Sequence, residues 1–239
     1  MKINIILPTS NPGMLSQREV VYSGLARSET KVSISILDER VPLEADPSDS
    51  FILPEILEKI VESENNGMDA VIVDCMEDPG VEEGRRLVKI PVIGPGNAAM
   101  NMAVILGHRF SILYPMEQLV FIHQLVLKYQ LSSMLASIKY LPCGLEGIMT
   151  DTKASMESLQ QTAIEAIVED GAAAIVPVCT LTSPLIQPLQ KFLHEKGHPV
   201  PVIDGAAAAV KLAENLLDMD LTHSRVTYPL PLGVSERIE

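Results

Sequence analysis

Short runs of β-branched and other apolar residues alternate along the chain with longer stretches whose apolar positions recur at helical spacing. The runs predict strands over residues 3–7, 32–37, 69–74, 90–93, 109–114, 136–141, 173–178 and 200–203. The longer stretches predict helices over 12–26, 51–65, 79–88, 97–106, 117–129, 153–169, 184–196 and 205–217. Val71-Ile72-Val73 and Ala174-Ile175-Val176 are apolar without interruption, as strands covered on both faces are. Alternation of this kind predicts an α/β fold with parallel sheets built from βαβ units. From 38 to 50 charge and proline replace periodicity, so a loop is expected there. Asn11-Pro12, Asp78-Pro79 and Ser183-Pro184 each set a capping side chain before a proline suited to the first helical turn. They place 8–12, 75–79 and 179–184 on loops at the C-terminal edge of parallel strands, where open α/β sheets bind ligands.

The chain can be laid over itself. Asn66-Gly67-Met68-Asp69-Ala70-Val71-Ile72-Val73-Asp74-Cys75 aligns with Asp170-Gly171-Ala172-Ala173-Ala174-Ile175-Val176-Pro177-Val178-Cys179 at an offset of 104. Pro91-Val92-Ile93 and Ala98-Ala99 align with Pro201-Val202-Ile203 and Ala208-Ala209 at an offset of 110. Ile5-Ile6-Leu7-Pro8 has a counterpart in Ile112-Leu113-Tyr114-Pro115. The expected architecture is two similar Rossmann-like α/β lobes, their parallel sheets related by a pseudo-two-fold axis, with the active site in the cleft between them.

Composition narrows the class of partner. The 239 residues carry 18 Lys and Arg against 31 Asp and Glu, a formal charge of −13. Phosphate backbones and anionic membranes are held by clustered cations, and the sequence has no such cluster, so neither nucleic acid nor membrane is an expected partner. No apolar run reaches the roughly 18–20 residues of a membrane span. The N-terminal run, broken at Asn4, is too short for a signal peptide. A cytoplasmic protein with reduced thiols is therefore expected. The three cysteines, Cys75, Cys143 and Cys179, are too few and too widely spaced for a disulfide framework, a zinc finger or a redox CxxC pair. The histidines lack metal-ligand spacing, Gly94-x-Gly96 does not complete GxGxxG, and no GxxxxGK[ST] is present. Neither a metal site nor a dinucleotide site is expected. The expected partners are a small-molecule substrate and further copies of the chain in a homo-oligomer. The helix over 51–65, with Glu55, Glu58, Lys59 and Glu62, reads as a solvated amphipathic face.

Cys75 and Cys179 fall at equivalent points of the repeat, each after a strand and before a capped proline. Cys143, in Leu-Pro-Cys-Gly, has no counterpart and reads as structural or incidental. Two lobes facing each other across a cleft would offer one thiol from each side. Racemisation needs such an arrangement, because one base removes a proton from a stereocentre and an acid returns one to the opposite face. The thiolate is the active base, and free cysteine with a pKa of about 8.5 is little ionised at neutral pH. The N–H groups and dipole of a helix N-terminus are expected to lower that value at both cysteines. Thr180 and the amides after each cysteine are candidates to stabilise an enolate-like oxygen.

Four segments carry a resemblance. They are Cys75-Met76-Glu77-Asp78-Pro79-Gly80 with Arg85, Arg86 and Ile90-Pro91-Val92-Ile93-Gly94; Gly107-His108-Arg109-Phe110-Ser111-Ile112-Leu113; residues 170–179 with Pro201-Val202-Ile203-Asp204-Gly205; and Ser224-Arg225-Val226-Thr227-Tyr228-Pro229. Together they resemble the aspartate/glutamate/hydantoin racemase superfamily, and most of all its hydantoin racemase branch. The resemblance implies two lobes, with the C-terminal segment returning to the first: 1–96 plus 207–239, and 97–206. It implies Cys75 and Cys179 as the catalytic acid and base, without pyridoxal phosphate or metal. It also implies Thr9, Ser10, Met76, Glu77, Thr180 and Leu181 around the substrate, with Tyr114 at the end of the second lobe's first strand.

The chain departs from the family pattern in places. Val178 stands where the branch usually has Gly, Thr9 where Asn is expected, and Tyr114 where Thr is expected. Cys75-Met76-Glu77 differs from the Cys-Asn-Thr of many amino-acid racemases, and Cys179-Thr180-Leu181 keeps only the Thr of their second motif. No Arg stands in the cysteine loops to clamp a carboxylate, which favours a neutral ring. The implied reaction is cofactor-independent interconversion of the enantiomers of a hydantoin or related amino-acid derivative. The alternatives are an aspartate/glutamate-type racemase, a small-acid isomerase or decarboxylase of the same superfamily, and a non-enzymatic two-lobe protein that binds a small ligand.

Overall fold

The computed structural model describes residues 1–38, 41 and 51–231. The loop expected over 38–50 lies outside them except for Asp38 and Val41. The chain folds as two compact units, Met1–Pro95 with Ala209–Glu239, and Gly96–Ala208. Each is built on a parallel sheet. In the first unit β1 (Lys2–Leu7), β2 (Lys31–Ile36), β3 (Ala70–Val73) and β4 (Val92–Ile93) take the order β2-β1-β3-β4. In the second unit β5 (Phe110–Tyr114), β6 (Leu135–Tyr140) and β7 (Ala174–Pro177) take the order β6-β5-β7. A 3₁₀ turn at Pro12–Met14 leads into α1 (Leu15–Leu25). The next helices are α2 (Leu53–Asn65), α3 (Val81–Arg85), α4 (Pro95–Gly107), α5 (Val120–Lys128), α6 (Gly144–Thr150) and α7 (Thr152–Asp170). A second 3₁₀ turn at Thr180–Thr182 leads into α8 (Ser183–Glu195), and α9 (Gly205–Asp218) comes after it.

The internal repeat extends to individual hydrogen bonds. Ile3 lies opposite Ala70 in the first sheet and Phe110 opposite Ala174 in the second, which preserves the sequence offsets. The Val71 N–H donates to the Pro91 carbonyl, and the Ile175 N–H to the Pro201 carbonyl, both at 2.9 Å. The Asp74 N–H donates to Ile6 and the Val178 N–H to Leu113, both at 2.8 Å. The uninterrupted apolar strands β3 and β7 are buried at every residue, while the edge strands β2 and β6 are only partly buried.

Burial explains the remaining sequence pattern. In the first unit Ile6, Val71, Val73 and Val92 pack with Ile52, Ile56 and Ile60 from the α2 side. In the second, Leu113 and Ile175 pack with Leu159, Ala163 and Ala166 of α7 and Ile186, Leu189 and Leu193 of α8. Asn4, which breaks the N-terminal apolar run, is buried with its polar atoms paired. Its amide donates to Ser35 Oγ and Ser63 Oγ, and its carbonyl accepts from Ser33. A buried amide without such partners would cost several kcal/mol on an apolar-transfer scale, roughly 2–7.

Two expected elements come out differently, and one unexpected element forms. The strand over 200–203 shrinks to a single bridge between Ile175 and Val202, because Pro199 and Pro201 have no N–H to give a ladder. The helix over 79–88 begins at Val81 and lasts five residues. Asp78 (φ 54°) and Gly80 (φ 70°) are both left-handed, so no helix can run through them, and Pro79 is not a first helical residue. Helix α6 forms where the periodicity predicts no element, and it opens on the left-handed Gly144.

The end of the chain is tied to the first unit. The buried Glu214 of α9 accepts from the Arg27 N–H at 2.7 Å and the Thr30 hydroxyl at 2.8 Å. Arg225 donates to the carbonyls of Arg85 and Val88, each at 2.9 Å. His223 Nε2 accepts the N–H of Val92 at 2.9 Å, which satisfies a donor on an edge strand. Only neutral imidazole can accept there, and burial together with Arg85 and Arg225 lowers the His223 pKa to about 4. In the unfolded chain histidine takes up its proton near pH 6.5. Protons therefore favour unfolding, and the stability from His223 is present above about pH 6.5 and lost as the pH falls through 4. His223→Gln keeps an acceptor that does not titrate. Thermal melts of this variant are expected to show a shallower fall between pH 6.5 and 4 than the wild type.

Candidate active site

Within each unit, parallel pairing sets two loops side by side. β1 and β3 are neighbours, with Ile6 opposite Val73, so the loops leaving their C-terminal ends adjoin. They bring Thr9 and Ser10 to the same edge as Cys75, Met76 and Glu77. β5 and β7 do the same in the second unit and bring Tyr114 to the edge that carries Cys179, Thr180 and Leu181.

The Cys75 loop is fixed by its backbone. The Cys75 N–H donates to Val73, and the Cys75 carbonyl accepts from the Asp78 N–H at 3.0 Å. Cys75 and Glu77 are partly exposed, whereas Met76 is buried. Asp78, 3 % exposed, lies against Gly94, where an added Cβ would sit 2.7 Å from Asp78 Oδ2 and closer still to Cγ and Oδ1. Among the neighbouring loop residues, Ser10 is buried with its hydroxyl donating to the Val41 carbonyl at 2.7 Å, and Thr9 Oγ1 accepts from the Asn11 N–H. Of the three capping side chains expected, Asn11 caps as expected, accepting from the Gly13 N–H at 2.9 Å.

The expected lowering of the Cys75 pKa by a helix N-terminus is not found. Beyond Cys75 the chain makes a left-handed turn and then a helix of only five residues. Burial pushes the Cys75 thiol well above its ordinary value. The carboxylates of Glu77, Asp78 and Asp74 add to that, and a hydrogen bond from the Glu77 backbone opposes it. Asp74 itself is held by Arg18 and Tyr22 of α1. Arg18 Nε donates to Oδ2 at 2.8 Å, Nη2 to Oδ1 at 3.0 Å, and the Tyr22 hydroxyl to Oδ1 at 2.5 Å.

The second unit presents its cysteine differently. Cys179 is extended, and the 3₁₀ turn after it runs straight into α8, which has thirteen residues. The Thr182 N–H and Oγ1 both donate to the Cys179 carbonyl, at 3.0 and 2.6 Å. Thr180 is buried and Leu181 partly buried. Ser183 does not cap α8. It is the first helical residue, and its hydroxyl donates to Asp204 Oδ2 at 2.5 Å. Asp204 Oδ1 accepts from the N–H groups of Ala206 and Ala207 at the start of α9, so one carboxylate links the cysteine loop to that helix. Tyr114 is buried at the end of β5. Cys143 packs against the apolar cluster of the second unit.

Sequence reasoning misses Arg18, Tyr22 and the Ser183–Asp204 link. One signal is available: Asp74 ends a strand covered on both faces, and a carboxylate there needs a partner. Among the described residues no group of three or more His, Cys, Asp or Glu side chains is arranged to hold a metal ion. None of their helices is long and apolar enough to cross a membrane.

Parallel α/β units, each with a cysteine in a loop at the carboxyl edge of its sheet, define a two-unit α/β protein of the class that takes a small ligand at that edge. Comparison with known proteins narrows the class. The family model for Asp/Glu/Hydantoin racemase matches residues 39–213. A hydantoin racemase from Rhizobium meliloti is 32% identical over 97% of this chain and 95% of its own length. One from Pseudomonas sp. (strain NS671) is 30% identical over 97% and 92%. The structure of an allantoin racemase from Klebsiella pneumoniae superposes with a TM-score of 0.86 at 26% identity, covering 97% of this chain and 94% of that one. The chain belongs to the Asp/Glu/hydantoin racemase family and is an isomerase, a racemase.

Proposed function

We propose that the chain is a cofactor-independent, two-cysteine racemase of 5-substituted hydantoins, allantoin included. The observation that carries the reading is the equivalence of Cys75 and Cys179, which come after strands in matching hydrogen-bond register at the same edge of their sheets. The kinship with hydantoin and allantoin racemases supports the substrate class.

The C5–H of a hydantoin is acidified by the adjacent carbonyl. One thiolate takes this proton, so that the C–H bond breaks, an S–H bond forms and the electron pair passes into an enolate. The other thiol then protonates the opposite face of C5. Each turnover exchanges the protonation states of the two sulfurs, so both enantiomers are substrates. In the resting enzyme Cys75 holds its proton, a reading supported by the burial and carboxylates around it. Cys179, with a helical segment directly after it, supplies the thiolate. N–H groups after each cysteine and the Thr180 hydroxyl stabilise the enolate oxygen.

The test is incubation of single enantiomers of 5-benzylhydantoin, allantoin, aspartate and glutamate in D2O with protein dialysed against chelator. Optical rotation and deuterium at the stereocentre are monitored against enzyme-free controls. Loss of rotation with deuterium entry is expected for the hydantoins. Exchange confined to aspartate or glutamate would transfer the reading to an amino-acid racemase, and no exchange above the controls would overturn it.

A further inference from the structure

Arg18, Tyr22 and Asp74 form a buried polar cluster that the proton transfers do not use. Arg18 is 1 % exposed, and its guanidinium lies 5.0 Å from the centre of the Tyr22 ring. Withdrawing two charges from water is expensive, and a buried ion pair is often no more stabilising than apolar residues of the same volume. The second unit adopts that apolar alternative. Val178, 3 % exposed, stands where Asp74 does, and α5, the connection between β5 and β6, buries Ile122, Leu125 and Val126. The fold itself therefore does not require the ion pair. Its location supplies a reason. Asp74 is the chain neighbour of Cys75, and α1 continues directly from the loop that carries Thr9 and Ser10. Three hydrogen bonds thus clamp one loop of the edge to the other.

We propose that Arg18 and Tyr22 are positioning residues that act on Cys75 through Asp74, fixing the thiol's loop against the Thr9–Ser10 loop and neutralising the carboxylate beside it. The proposal rests on the racemase reading for its meaning in catalysis. Other charged groups facing Cys75 are Glu77 and Asp78, and neither contacts α1 in the hydrogen bonds that hold Asp74.

Two measurements test it. The first tracks alkylation of Cys75 by iodoacetamide against pH in the Cys143→Ser, Cys179→Ser protein. Adding Asp74→Asn leaves the Arg18 guanidinium, which cannot lose its proton, without its counter-charge. The alkylation midpoint is expected to fall by about one pH unit, a tenfold change in ionisation. Should circular dichroism show that variant unfolded, Tyr22→Phe removes a single donor from Asp74 and is expected to raise the midpoint. The second measurement installs the apolar solution, Arg18→Leu with Asp74→Val, in the otherwise unaltered enzyme. A folded protein with kcat down about tenfold and KM little changed is expected, because the thiol is misplaced while binding groups remain. An unmoved midpoint in the folded variant, or wild-type kcat in the apolar one, would reduce the cluster to a structural ion pair. The alkylation needs no substrate. If the wild type racemises no hydantoin, the functional reading falls while the midpoint still judges the clamp.

Discussion

Cys75→Ala and Cys179→Ala are each expected to abolish racemisation, with rates down by about 10²–10⁴-fold or more, the range lost when a positioned acid or base is removed. The loss belongs to racemisation as a whole and not to every proton transfer. With one thiol gone, the survivor can still exchange the C5 proton of the enantiomer whose C–H bond points at it. Each variant is therefore expected to wash deuterium into one enantiomer, and the two variants into opposite ones. Separate measurement of exchange for the two enantiomers by NMR in D2O checks this. Racemisation at wild-type rate by either variant would exclude the two-thiol mechanism. Cys143 packs against the apolar cluster of the second unit. Cys143→Ala is expected to leave kcat unchanged, which makes it the control for removing a thiol as such.

Gly94→Ala is expected to damage both stability and turnover. The new methyl would fall on the Asp78 carboxyl, which is buried, and the Gly94 backbone cannot retreat because it joins β4 to α4. Asp78 must swing away and carry with it the turn whose N–H binds the Cys75 carbonyl. Overpacking of this kind costs about 1–3 kcal/mol. In a domain of ordinary size each kcal/mol is worth about 2–4 °C in melting temperature. A fall in kcat of about tenfold or more is expected alongside, since a shift near 1 Å in a reacting group is enough for that. Combining Gly94→Ala with Asp78→Ala removes the obstacle. If the clash is the cause, the pair is expected to cost less than the sum of the two single substitutions.

The difference between the two cysteine loops matters for the reaction. Under the proposed two-thiol mechanism the enzyme passes through two resting forms, one for each enantiomer, and they have equal energy only if the thiols have equal affinity for a proton. Here Asp74, Glu77 and Asp78 stand beside Cys75, while Val178, Thr180, Leu181 and Thr182 flank Cys179. Burial and those carboxylates hold the proton on Cys75. The clamp from Arg18 offsets one of the three charges.

Much of this protein is written in its sequence. The apolar runs of β3 and β7, the offsets of the repeat and the equivalence of Cys75 and Cys179 are all legible, because a strand buried on both faces admits few residue types. The same holds for Asn11, whose capping bond reaches only to Gly13. Other features depend on partners far away in the chain. Asp78-Pro79 reads as a helix start, yet the turn there is left-handed and its carboxylate lies against Gly94, sixteen residues on. The strand over 200–203 has the right residues but lacks the N–H groups for a ladder. The Arg18–Asp74 pair spans 56 residues and has no local signature. The sequence by itself thus determined the alternation, the repeat and the catalytic candidates, since hydrophobic period and capping act over a few residues. Only the tertiary structure decided that Arg18 and Tyr22 hold the carboxylate beside Cys75 and that Asp78 lies against Gly94, because electrostatics and packing depend on distance in space and not along the chain.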